Sequence, residues 1–303
     1  MVQAEQTERT ARQAAGLTRR AWHPSWAWLG VLPFLVFIGA FLIWPAAEIM
    51  VLSFLDGRGQ PTLQNVRDLG QPFIVTSYLY TIQLSLVTAL LGGLVGFLLA
   101  YAVTAAGMPR WVRAAVLSFA GVASNFAGIP LAFAFIATLG QLGLVTQALR
   151  QIGISLYPSF SLYSFWGLAL TYLYFQIPLM VLMMAPALDG LRHEWREAAE
   201  SLGASPWQYW RRVGLPILLP SLLGTMVLLF GNAFGAHATA FALTGGGSQA
   251  SVVTILIGAQ LSSDAFANPG MGNALALGMI VIMAVTITLY TWLQRLAERW
   301  LQR

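Results

Sequence analysis

Long apolar runs, separated by short charged or glycine-rich intervals, set the pattern of this chain. A helix needs about 20 predominantly apolar residues to cross a bilayer. Six stretches supply that length: residues 27–52, 77–105, 115–139, 162–187, 217–242 and 273–294. No Asp, Glu, Lys or Arg occurs between Asp68 and Arg110, so the second stretch is uninterrupted. A further apolar piece, Val252–Leu261, has about half the required length and is expected as a partial or interfacial helix. The pattern predicts an all-α polytopic membrane protein with six transmembrane helices. Residues 1–26, with Glu5, Glu8, Arg9, Arg12, Arg19 and Arg20, precede it as a cytosolic tail.

The intervals fix the expected orientation. With the N-terminus inside, Arg9, Arg12, Arg19, Arg20, Arg110, Arg113, Arg192, Arg196, Arg211, Arg212, Arg295, Arg299 and Arg303 all fall on the cytosolic side. Only Arg58, Arg67 and Arg150 fall outside, which is the positive-inside bias of membrane proteins. A crossing by Val252–Leu261 would place the arginine-rich tail opposite the N-terminal arginines. Both termini are therefore expected in the cytosol.

Composition narrows the chemistry. The chain is 57% hydrophobic and 9% charged, against about 25% charged in soluble domains. Its sixteen basic residues are all arginine. The phosphate-binding loop needs a lysine, so any ATP hydrolysis must belong to a partner. The absence of cysteine removes disulfides, cysteine nucleophiles and thiolate metal sites. A pI near 9.9 reports membrane topology, and no nucleic-acid partner is expected. Ser248 with His237 lacks an orienting group for nucleophilic catalysis, and His193-Glu194 lacks the second histidine of a zinc-protease helix. No catalytic or metal-ligating residue is assigned.

The charged interval 189–216 stands out. Arg192 to Leu202 has good helix formers and no Gly or Pro, and Gly203 can take the left-handed conformation that ends a helix. Ser205 is placed as an N-cap, with Pro206 at the first helical position and Gln208 completing a capping box. The expectation is helix, tight turn, helix, ending ahead of Pro216.

Glu197-Ala198-Ala199, three residues, Gly203, nine residues, then Val213-Gly214-Leu215-Pro216 resembles the signature loop of permease subunits of binding-protein-dependent ATP-binding-cassette importers. Every fixed position matches except the usual isoleucine, here Val213. The resemblance covers roughly residues 75–295, and Gly140-x-x-Gly143-x-x-x-Gln147-x-Leu149 is also similar to the family. It implies a type I importer permease fold in which the loop is a coupling helix, docked in a groove of a cytosolic ATPase dimer. Glu197, Ala198, Ala199, Gly203, Ser205, Pro206, Trp207, Leu215 and Pro216 would form that contact. ATP and Mg would be used by the ATPase, with no cofactor in this chain. A second permease subunit, identical or related, would complete the pathway, and an extracytoplasmic binding protein would deliver the solute.

Within the family, Ala240-Phe241-Ala242-Leu243-Thr244-Gly245-Gly246 resembles the branch of spermidine/putrescine, thiamine, iron(III) and aminoethylphosphonate permeases. Polyamine permeases tend to carry an acidic residue where this chain has Gly235-Ala236-His237, which argues against a polyamine. The implied function is import of a small polar or charged solute; the rival from another class is an ion-coupled secondary transporter. Polar groups within spans are costly and mark pathways or helix contacts. The pathway candidates are Glu48, Asn125, Gln176, Asn232, His237 and Thr239. Glu48 is alternatively an interfacial residue, His237 a helix-bonded imidazole, and Asn125 and Gln176 interhelical hydrogen-bond partners. Pro130, Pro178 and Pro186 mark expected kinks, and the loop 244–248 with the piece to Leu261 is expected beneath the docked binding protein.

Overall fold

The structure is a computed structural model that describes residues 27–105, 108–245, 252–261 and 269–301. The tail at 1–26 and most of the glycine loop, Gly246 to Ser248, lie outside the described residues. The chain divides into two units, one up to Glu48 and one from Ile49 onward.

The first helical run comprises α1 (Ala27–Ile38), a π-helical stretch (Gly39–Ile43) and α2 (Trp44–Leu52). The wide turn has a local cause. Pro45 has no N–H, and its ring would meet the carbonyl four residues back, so the ladder opens and Trp44 N–H donates to Gly39 O instead.

The second unit carries α3 (Gln64–Asp68), α4 (Pro72–Ala105), α5 (Arg110–Asn125), α6 (Ile129–Leu139) and α7 (Leu144–Gln151). It continues with α8 (Phe165–Asp189), α9 (His193–Ser201), α10 (Pro206–Tyr209) and a second π-helical stretch (Trp210–Gly214). The remaining helices are α11 (Leu215–Phe234), α12 (Ala238–Thr244), α13 (Val253–Leu261) and α14 (Pro269–Leu301). Among the described residues the chain is all-α, with only an isolated bridge between Leu55 and Pro61. Six helical runs among the described residues are long and apolar enough to cross a membrane.

Helices α4 and α8 form the centre, with α11 on α4, α5 on α8 and α14 on α11. Small residues allow the central approach: a Cβ at Gly92 would come within 2.9 Å of Gln176 Cβ, and one at Gly96 within 2.5 Å of Met180 Cβ. Small-residue contacts of this kind are how membrane helices pack without a hydrophobic driving force between them. Around them Leu84, Tyr172, Met180, Met184, Leu218, Leu229 and Phe234 are fully buried.

Two of the expected spans are not single helices. The stretch 115–139 breaks at Phe126-Ala127-Gly128, and the run long enough to cross is Ile129–Gln151. Pro130 cannot donate to a preceding turn and disfavours helical geometry before it, and Gly128 turns the chain at φ 75°. The stretch 217–242 breaks at Gly235-Ala236-His237. There the freed Ala236 carbonyl accepts from Tyr172 Oη at 3.2 Å and Thr254 Oγ1 at 3.3 Å. Tertiary donors replace the helical ladder at a site no local sequence signal marks. The second expected span also begins earlier, at Pro72, and the last extends to Leu301. Val253–Leu261 is a short helix whose first N–H donates to Thr81 Oγ1 at 2.9 Å.

Candidate functional site

The charged loop is a built turn. At the end of α9, Ala204 N–H donates to Ala199 O and Gly203 N–H donates to Glu200 O, both at 2.9 Å. That pairing is the Schellman termination, and it requires the residue at Gly203 to sit at positive φ, here 75°. Ser205 then starts α10: its Oγ accepts from Gln208 N–H at 3.3 Å, and its own N–H donates to Gln208 Oε1 at 2.7 Å. Every residue between the two helices thus has a bonding reason for its identity or its conformation.

The π-helical stretch explains the end of the motif. Leu215 N–H donates to Trp210 O, a widening that spares the carbonyl Pro216 would otherwise strike, as at Pro45. A Cβ at Gly214 would lie 2.8 Å from Trp210 Cε3. Glycine there leaves room for the indole, which packs edge-on against Tyr101 of α4 at 5.0 Å. The loop is thereby keyed into the membrane helices.

Its outer surface combines apolar and charged groups. Leu202 is 88% exposed and Trp207 71%. Glu197 and Ala198 are exposed beside them, and Ala199 is half-buried. Within α9, His193 Nε2 lies 3.6 Å from Glu197 Oε1, and Arg196 Nε lies 2.9 Å from Glu200 Oε1. Arg113 pairs with Asp189, tying the start of α5 to the end of α8. Behind the loop a cavity of about 300 Å3 is lined by Tyr101, Asp189, Arg192, Arg196, Tyr209 and Trp210.

A second cavity, of about 340 Å3, lies where the two helix breaks meet. Gly128 N–H donates to Thr239 Oγ1 at 2.7 Å, closing one wall. Ser124, Phe175, Asn232, Ala236 and His237 line the rest. The His237 ring stacks on Phe241 at 5.5 Å and rests against Gly258 of α13, where a Cβ would come within 3.2 Å of Cε1.

The six sequence-derived pathway candidates separate here. Asn232, His237 and Thr239 share this cavity. Asn125 is exposed at the neighbouring break, with Nδ2 donating to Gly121 O at 2.9 Å. Gln176 is fully buried between helices, its Nε2 donating to Thr88 Oγ1 at 2.8 Å and its Oε1 without a partner. Glu48 is exposed on α2, at the end of the other unit. Sequence reasoning missed Ser124, Gly128 and Phe175 at the cavity and Leu202 on the loop. Gly128-Ile129-Pro130 was the available signal for a break.

Residues 92–303, more than two thirds of the chain, match the family model described as binding-protein-dependent transport system inner membrane component. The chain belongs to this family. It is a permease, and its six apolar runs fit a multi-pass inner-membrane protein. The permease is 31% identical to a probable sulfate transport system permease protein of Prototheca wickerhamii, over 54% of this chain and 62% of that protein. It is 27% identical to a probable sulfate transport system permease protein of Nephroselmis olivacea, over 92% of this chain and 89% of that one. The fold of the permease matches a bacterial ABC transporter involved in the import of the acidic polysaccharide alginate, with a TM-score of 0.70. There the identity is 18%, covering 89% of this chain and 94% of that chain. A bacterial alginate ABC transporter in complex with an alginate pentasaccharide-bound periplasmic protein matches with the same TM-score, 0.70, at 17% identity over 89% of this chain and 93% of that chain. The relatives from Prototheca and Nephroselmis are sulfate permeases, not permeases of the polyamine–thiamine–iron–phosphonate branch expected from residues 240–246.

Proposed function

We propose that this permease is the membrane-spanning subunit of an ATP-driven importer for sulfate or a closely similar tetrahedral oxyanion. The observation that carries the transport reading is the loop from Glu197 to Pro216. Its Schellman turn and capping box hold Leu202 and Trp207 out at the surface, beside a glutamate and a small alanine. Exposed large apolar groups on a stiff, charged turn form a docking surface for a soluble partner. That partner is an ATPase, because the chain has no lysine with which to build a phosphate-binding loop.

The solute class rests on the sulfate permeases to which the chain is similar over most of its length. The cavity at the helix breaks is compatible with it, since among the described residues no carboxylate lines its wall. A binding protein on the side opposite the loop would load the cavity. A second permease subunit would supply its missing half, and closure of the ATPases on bound ATP and Mg would move the loop.

Reconstitution into liposomes tests this directly. Sulfate uptake should need the permease, the ATPase, the binding protein and ATP together. Uptake driven by an ion gradient without the ATPase would instead support a secondary transporter.

A further inference from the structure

The α4, α6, α11, α12 and α13 segments contain no Asp, Glu, Lys or Arg. Those residues occur in α8 only at its end, Asp189, in α5 only at its start, Arg110 and Arg113, and in α14 only from Arg295 onward. Among the described residues, His237 is therefore the one side chain able to carry positive charge at the helix breaks. An ionisable group placed between membrane helices is costly and is retained for a pathway more often than for packing.

We propose that His237 contacts the transported solute, its imidazolium form holding the oxyanion in the cavity between the two breaks. The assignment rests on the oxyanion-importer reading and adds the residue that would discriminate by charge. A dianion taken from water into an apolar enclosure needs a paired cation, and the cavity supplies one. The imidazole is exposed to the cavity while its ring is seated by Phe241 on one side and the bare backbone of Gly258 on the other. Among the described residues no carboxylate competes for it: α12 presents Phe241, α13 presents Gly258 and α11 presents Asn232. Among the same residues, the one titratable group bonded to this break is the Tyr172 phenol, which donates to Ala236 O. Asn232, which also lines the cavity, adds a neutral amide donor for the remaining oxygens. A cationic solute meets the wrong sign of charge at the same point.

The test is radiolabelled sulfate uptake by the complete importer in liposomes, with assembly of each variant checked by co-purification of the ATPase. His237→Gln keeps a hydrogen-bonding side chain without the charge, and His237→Arg fixes the charge. The Gln variant should lower maximal uptake by about tenfold or more, with half-saturation by loaded binding protein unchanged and ATP turnover continuing. The Arg variant, which keeps a positive charge at this position, should retain uptake well above that of the Gln variant. If the Gln variant does not assemble, His237→Asn takes its place. Wild-type uptake in the neutral variant would overturn this assignment while leaving the importer reading intact. A wild-type importer that moves no sulfate would overturn the solute class, and this assignment with it.

Discussion

The N–H of Gly128 and the hydroxyl of Thr239, 111 residues apart, meet in a 2.7 Å hydrogen bond that joins two interrupted helices. In a membrane, irregular backbone is tolerated only where it is buried in protein or lines a cavity. Here each break answers the other: one supplies a freed donor, the second a threonine acceptor that is only 2% exposed.

Thr239→Val keeps the shape and removes the acceptor. Gly128 N–H is then left unsatisfied, at a cost of about 1–3 kcal/mol. Thermal unfolding of the purified permease in detergent should shift downward, and Thr239→Ser should restore most of the loss.

Gly203→Val forces a β-branched residue to φ 75°, where strain costs about 1–3 kcal/mol. The membrane helices should still insert, because the turn lies outside them. Co-purification with the ATPase and ATP-driven uptake should both fall sharply. Normal assembly of this variant would show that the Schellman turn is not part of the docking surface.

Ser205→Ala removes the side-chain half of the capping box, worth about 1 kcal/mol. The expected result is faster hydrogen exchange at the amides of α10, read by mass spectrometry, with α11 unaffected. Equal protection in both proteins would mean that packing of Trp210 on Tyr101 alone holds α10 in place.

Gln176→Leu separates a packing residue from a pathway residue. Its Oε1 has no partner, and Thr88 still donates its own hydroxyl to Leu84 O at 2.8 Å. Replacing a half-satisfied buried amide with an apolar side chain should change stability by less than about 1 kcal/mol and leave uptake near wild type. A folded variant with lost uptake would move Gln176 into the solute path.

The fold class was legible because period and length alone separate membrane helices from their intervals. The loop was legible residue by residue, since Gly203, Ser205, Pro206 and Gln208 act through local backbone chemistry. The breaks were not. Ala236 leaves the helix because Tyr172 and Thr254, distant in sequence, offer hydroxyls to its carbonyl; neither donor can be seen from the residues around position 236. Gln176 illustrates the reverse: its polarity marks it as a candidate, while its complete burial against Gly92 and its bond to Thr88 cannot be read from its neighbours in sequence. Solute identity lay further off still, since the short resemblance at 240–246 pointed to one branch and similarity along the whole chain to another.

The wide turn at Trp210–Gly214 has a mechanical consequence. By accommodating Pro216 without a break, it makes Pro206 to Phe234 one unbroken shaft of 29 residues, about 43 Å long at helical rise. One end of that shaft carries the loop and the other stops at the Gly235 break, beside the cavity that His237 lines. On the docking role proposed for the loop, displacement of Trp207 would travel to His237 along a single helix, in which Pro216 and Pro220 lack the backbone N–H beyond the wide turn. Flexure of the shaft then belongs to that proline pair.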